Sequence, residues 1–211
     1  MYLTISRRAS LVPNDPNDWL HEVSVDIECW TKDGDLPILA GRMSAAYLNL
    51  FDAQAAGASV LQIFDARSAD FESLYSFLFE TESDEFNVRF DGMEVLAEEL
   101  IYVEHCILHP ALEGYRRFVI DQFCNLFGSS AVVAIWDTPE FCTVELSDTE
   151  FLELGFSRLA EVDVRVRSNE LKITYDPSID RPGVRNFVVP ESAAAYVDRE
   201  WEQLRHADDA R

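Results

Sequence analysis

The side chains able to do chemistry in this chain are few, and four of them, Glu104, His105, Cys106 and His109, fall close together. Two histidines four residues apart chelate a metal when the segment is helical. Here the run from Leu100 to Leu108 is almost continuous in β-branched, aliphatic and aromatic residues, which reads as a strand. Four residues of strand span about 13 Å, too far for one ion to be shared. His105 and Cys106, as strand neighbours, point to opposite faces and make no nucleophile and base pair. Glu104 has more scope. A carboxylate on a buried strand can take a proton from an incoming amine, and burial would bring its pKa toward neutrality. The same carboxylate fits equally an edge of an acidic surface or an ion pair with an arginine. Ser129 and Ser130 follow Gly128 but lack the G-x-S-x-G elbow that exposes a nucleophile. Cys29, Cys106, Cys124 and Cys142 include no C-x-x-C pair, so no zinc ribbon or thioredoxin-like motif is written; they read as free, mostly buried thiols.

The elements that must position these groups follow from periodicity. Glu22 to Trp30 alternates Val23, Val25, Ile27 and Cys29 with Ser24, Asp26 and Glu28, a half-buried strand. Asp33-Gly34 is a turn, and Leu36 to Leu50 reads as a second strand returning from it, although its alanines and Met43 also fit a helix. Two helices are expected between Asp52 and Glu80, one ending near Phe64 and one capped by Ser68 ahead of Phe71, Leu74, Tyr75 and Leu78. Leu100 to Leu108 and Ala131 to Trp136 are strands buried on both faces. Between them Ala111 to Phe127 carries Leu112, Tyr115, Val119, Phe123 and Leu126 at helical spacing. Ser147 to Glu150 is a capping box and Gly155 the C′ residue of the short helix it opens. Ala160 to Val166 and Leu171 to Tyr175 form a closing hairpin, and Glu191 to His206 a last helix. Trp30, Trp136 and Trp201 are expected in packed positions. The reading is a single α/β (α+β) domain over residues 1–211, with a loop-rich arm at 1–20 that includes a short strand at Tyr2 to Ser6, and a C-terminal helix within 190–211.

Thirty-nine acidic against seventeen basic residues give a net charge of −22, so counterion release on a nucleic-acid backbone opposes binding rather than driving it. Glu80 to Glu104 concentrates the acidity: nine carboxylates stand there against Arg89 alone, an expected negative surface suited to a basic partner or substrate. With no apolar signal segment in the first eighteen residues and no run long enough to span a bilayer, the sequence reads as a cytoplasmic protein that contacts neither membrane nor nucleic acid.

From Leu100 onward the order is buried strand, proline, helix, buried strand, short helix ending in Gly-Phe, then hairpin. With Ile107-Leu108-His109-Pro110, Glu113-Gly114-Tyr115-Arg116-Arg117 and Phe151-Leu152-Glu153-Leu154-Gly155-Phe156, this stretch resembles the C-terminal half of the GCN5-related N-acetyltransferases. The resemblance covers roughly residues 98 to 175 and implies a GNAT-like mixed central sheet flanked by helices. It also implies acetyl-CoA as cosubstrate, bound where two neighbouring strands splay apart. On that basis Ile107, Leu108, Gly114, Arg116 and Arg117 would bind the cosubstrate, and Glu104 would be the general base for an amine on a basic peptide or small molecule. The pyrophosphate loop departs from the family pattern, with Glu113 in the basic slot and Arg116 and Phe118 where glycines are usual. Phe151 stands where the family often has a tyrosine that donates to the thiolate, and neither Tyr115 nor Cys142 has support as a substitute. These departures imply the alternative of a non-catalytic acidic binding protein that engages a basic protein surface as a DNA mimic or inhibitor does.

Overall fold

The computed structural model describes residues 1–9, 15–30, 36–80, 82–90, 93–136, 144, 146–159, 162–171, 173, 175–179 and 189–208. Cys142 and the expected Asp33-Gly34 turn lie outside these residues. The strands β1 (Tyr2–Arg8), β2 (His21–Cys29), β3 (Ile38–Asn49), β6 (Glu99–Leu108), β7 (Ala131–Trp136), β8 (Ser157–Arg158) and β9 (Val164–Ser168) form one sheet in the order β1-β2-β3-β6-β7-β9-β8. Only β6 and β7 are parallel; the other neighbours run antiparallel. A separate two-stranded ladder joins β4 (Arg89–Phe90) to β5 (Met93–Glu94).

Alternation along the strands builds two cores. Val23, Val25 and Ile27 of β2, Met43 and Ala45 of β3, and Ile101 and Val103 of β6 face one side. There they meet Val119, Ile120 and Phe123 of α4 (Arg116–Cys124) and Phe151 of α5 (Asp148–Glu153). Leu48, Leu100, Tyr102, Val132, Ala134, Val164 and Val166 face the other side. The helices there are α1 (Leu50–Ala55), α2 (Val60–Arg67) and α3 (Ala69–Leu78). The last helix, α6 (Ala193–Asp208), lies against β3 and β6.

Local signals set most boundaries. The Ser68 side chain accepts from the Phe71 amide and starts α3, the Ser147/Glu150 capping box starts α5, and Gly155 adopts φ 81° where the left-handed C′ residue was expected. Other expectations are corrected. The expected helix through Asp52 to Phe64 is two, because Gly57 turns the chain at φ 76° and Ser59 caps a new start. The expected helix Ala111 to Phe127 begins instead with a 3-10 turn over Pro110–Tyr115, and Leu126 lies past its end at 45% exposure. The closing hairpin pairs β8 with β9, so its first arm starts right after Phe156, and Leu171 lies beyond the strand. Trp30 is half exposed at the sheet edge, its ring edge-on to Tyr2.

The acidic stretch is less uniform than its composition implies. Glu80, Glu82, Glu85 and Glu94 are exposed, but Asp84 accepts from the Tyr75 hydroxyl and the Val60 amide, and Glu99 accepts from the Tyr47 hydroxyl. These two carboxylates fasten helices and strands rather than coat a surface.

Candidate functional site

The ladder between β3 and β6 slips at one point. Ser44 pairs with His105, yet the next residue, Ala45, pairs with Val103, so Glu104 is an extra residue bulged out of register. The bulge resets the alternation. Tyr102 lies on the face of α2 and α3, Glu104 and His105 then both border the cleft on that face, and Cys106 returns to the opposite core. Pairing with β7 stops at the same place: Val103 and Ile135 are the last partners, while β6 runs on to Leu108. Among the described residues the strands therefore part beside the bulge, and that edge of β6 has no parallel partner beyond Val103.

The cleft bordered by Glu104 encloses about 920 Å³. Its floor is the polar face of β2 and β3, with Ser24, Asp26, Arg42 and Ser44; Arg67 and Ser68 at the junction of α2 and α3 and Trp201 and Arg205 of α6 form walls. Arg42 is held on two sides, by Asp26 at 2.8 Å and Asp198 at 3.2 Å, with its guanidinium 5.6 Å from the centre of the Trp201 ring. Arg67 reaches one oxygen of Glu104 at 3.2 Å. The Ser44 hydroxyl is buried in the floor with no hydrogen-bond partner. Arg8 of β1 and Arg205 are both exposed, and neither side chain makes an ion pair or hydrogen bond with the described residues.

A second cavity of about 310 Å³ lies along β6 beyond the bulge, lined by Cys106, Ile107, Leu108 and Arg116 on one side and by Tyr196 and Glu200 of α6 on the other. Trp201 and Arg205 face the large cleft and Tyr196 and Glu200 the small one, so α6 stands between the two. Ile107, Leu108 and Arg116, expected at the cosubstrate, are thus brought together. Gly114 and Arg117 are not among them. Gly114 sits in the 3-10 turn with open space around its α-carbon, and Arg117 binds Glu153 at 2.6 Å and Glu150 at 3.8 Å between α4 and α5.

The amides that would cradle a diphosphate are largely spent. His109 Nδ1 accepts from the Ala111 amide, the His109 carbonyl accepts from Leu112, and the Glu113 carbonyl accepts from Arg116. A helix N-terminus binds anions through amides that have no other partner. The small cavity along β6 is thus not accompanied, among the described residues, by a cradle of free amides at the start of α4. Cys106 adds no nucleophile, because burial pushes its thiol up to about 12 despite the nearby Arg116. Tyr115 is buried in the core of α4, away from both cavities.

Sequence reasoning missed the cluster of arginines in the large cleft and the seat of Trp201, which was expected in packing. The polar face of β2, Ser24 and Asp26 between buried valines, was the available signal; it marks an uncovered floor without saying what stands above it. Among the described residues no three metal-capable side chains gather, and no helix is long and apolar enough to cross a membrane. Compared with known proteins, the chain matches no family model, no curated protein and no solved structure.

Proposed function

We propose that this protein is an N-acyltransferase that transfers acetyl from acetyl-CoA to an amine, a divergent member of the GCN5-related family it resembles. The observation that carries the reading is the coincidence on β6 of a bulge at Glu104 with the end of pairing to β7 after Val103. That parting exposes a strand edge along which a thioester arm can lie, against Ile107 and Leu108. It also turns a carboxylate toward a cleft large enough for an acceptor. The strand order, with its one parallel pair in the middle, supports the same assignment.

In this reading the amine nitrogen bonds to the acyl carbon as the carbon–sulfur bond breaks, the nitrogen's proton passes to the free oxygen of Glu104, and the thiolate leaves to be protonated from solvent. Arg67 keeps the carboxylate in place. Arg116 lies where it can meet a phosphate, and a charge-assisted contact of that kind offsets part of the lost amide cradle.

A second reading, a binding protein without transferase activity, is favoured by a specific set of contacts: the amides of residues 111, 112 and 116 are satisfied within the turn, Arg117 is taken by two glutamates, and α6 separates Glu104 from the small cavity. Its partner would be a basic protein surface facing the exposed Glu80, Glu82 and Glu85. Calorimetric titration with acetyl-CoA separates the two. Binding that Arg116→Ala weakens roughly tenfold, with acetylation of a panel of primary amines, is the outcome expected here. Absence of binding at millimolar acetyl-CoA rejects the transferase and leaves the second reading.

A further inference from the structure

The large cleft is lined by more arginines than carboxylates, in a very acidic chain. Four arginines, Arg8, Arg42, Arg67 and Arg205, line it against three carboxylates, Glu22, Asp26 and Glu104, whereas the whole chain carries −22. The four are not equivalent. Arg42 and Arg67 are neutralised where they stand, by Asp26 and Asp198 and by Glu104. Arg8 and Arg205 reach the cleft from opposite ends of the chain, β1 and the last turns of α6, and meet no carboxylate among the described residues.

In a chain with more than twice as many acidic as basic residues, neutralising two exposed guanidiniums would need no special arrangement. Neither Arg8 nor Arg205 forms an ion pair among the described residues, although Glu22 stands across the β1–β2 ladder from Arg8, so both guanidiniums keep donors that a ligand's negative charge can meet. An independent feature lies beneath them. Ser44, 7% exposed, lines the cleft from β3, and its buried hydroxyl has no partner, although a buried hydroxyl ordinarily finds one. A hydroxyl and two fork-shaped guanidiniums together match an oxyanion with several acceptor oxygens.

The geometry points to this cleft as a binding site for a small organic anion carrying a carboxylate or phosphate, held by Arg8 and Arg205 with Ser44 beneath. The site stands whether or not acyl transfer occurs. Where the transferase reading holds, the same molecule is the acceptor: its amine lies toward Glu104 and its anionic end away from it, so the acceptor is an amino acid or amino phosphate in type rather than a basic peptide.

The test is direct binding without acetyl-CoA, at constant ionic strength, using inorganic phosphate and malonate as probes and the fluorescence of Trp201 as the signal, with Trp201→Phe to identify it. Saturable binding of at least one probe is expected, phosphate or malonate according to which anion the site takes. The double substitution Arg8→Ala with Arg205→Ala should weaken it at least roughly tenfold, and Ser44→Ala roughly threefold. Arg158→Ala with Arg199→Ala removes the same charge from exposed, ion-paired positions outside the cleft and should leave affinity unchanged. Both arginines of the cleft are exposed, so their removal leaves the core intact, and circular dichroism verifies it. No saturable binding of either probe at tens of millimolar, or equal loss in the two double variants, overturns the site. Probe binding without acetylation of any amine keeps it and removes the transferase reading instead.

Discussion

Two pairs of arginines on opposite faces of the same sheet show how surroundings decide what one residue type does. On β9, Arg165 reaches Asp148 at the start of α5, and Arg167 binds Asp121 of α4 at 3.1 Å, with Asn125 accepting at 2.8 Å. Arg167 and Asp121 are 2% and 1% exposed. Both side chains are shielded from solvent, so each charge must be matched inside the protein, and the pair fastens helix to sheet. Over β1–β3 the floor is polar, no helix seals it fully, and Arg8 and Arg205 stay solvated and unmatched. A buried guanidinium with its carboxylate is part of the fold; an exposed one without a carboxylate is available to a ligand.

The largest expected effect breaks the first pair. Asp121→Ala leaves Arg167 charged and buried with Asn125 as its remaining acceptor, and should destabilise the protein by about 3–5 kcal/mol in urea unfolding. Adding Arg167→Met should recover most of that loss, since an apolar side chain of similar size needs no partner. If the double variant is no more stable than Asp121→Ala, the fastening lies elsewhere.

Glu104→Gln probes the open face, where chemistry rather than stability should respond. Under the proposed transferase reading, acyl transfer should fall by about 10²–10⁴-fold while acetyl-CoA affinity and unfolding midpoint hold, because a base is lost and the half-buried site keeps its shape. A comparable loss of stability would make Glu104 a fastener like Asp121.

The sealed face also carries a pH dependence. Burial alone would raise the pKa of Glu150, but hydrogen bonds from the Ser147 backbone and hydroxyl, with Arg117 and Arg116 nearby, outweigh it and hold the carboxyl below its ordinary value of 4.5. A group depressed on folding contributes stability that is complete above the unfolded value and lost as pH falls through the folded one. Glu150→Gln should therefore cost about 1 kcal/mol near neutrality and progressively less as pH falls below 4.5 and through the depressed folded value, seen as converging melting temperatures. Parallel curves would deny the carboxylate its part in the capping box.

The smallest effect belongs to the ligand-facing pair. Arg8→Ala with Arg205→Ala should move stability by no more than about 0.5 kcal/mol, as is usual for exposed side chains without partners. A larger loss would mean that these arginines hold the fold together.

Much of the scaffold was legible because its signals are local. The alternation of Val23, Val25 and Ile27 dictates a half-buried β2, and the unbroken apolar runs at 100–108 and 131–136 require strands covered on both sides. Ser68, Ser147 with Glu150, and Gly155 mark helix ends through bonds that span at most a few residues. The 3-10 opening before α4 escaped the same reasoning because helical spacing of Leu112 and Tyr115 is nearly shared by three- and four-residue turns; the choice fell to His109, whose ring and carbonyl capture the first amides. The continuous acidic surface failed differently: composition counts carboxylates but is blind to tyrosines outside the stretch, Tyr75 from the helix just before it and Tyr47 from distant β3, that come to bind them.

Sequence by itself determined the mixed sheet, its most buried strands and the candidate carboxylate on β6, since apolar periodicity and capping act over short stretches of chain. Tertiary structure alone decided that Glu104 bulges, that β6 and β7 part beside it, that α6 divides two cavities, and that Arg8 and Arg205 share one cleft. Each of those depends on register between strands or on packing between segments far apart in the chain, and the energy that fixes them comes from burying many side chains together rather than from any residue's own preference.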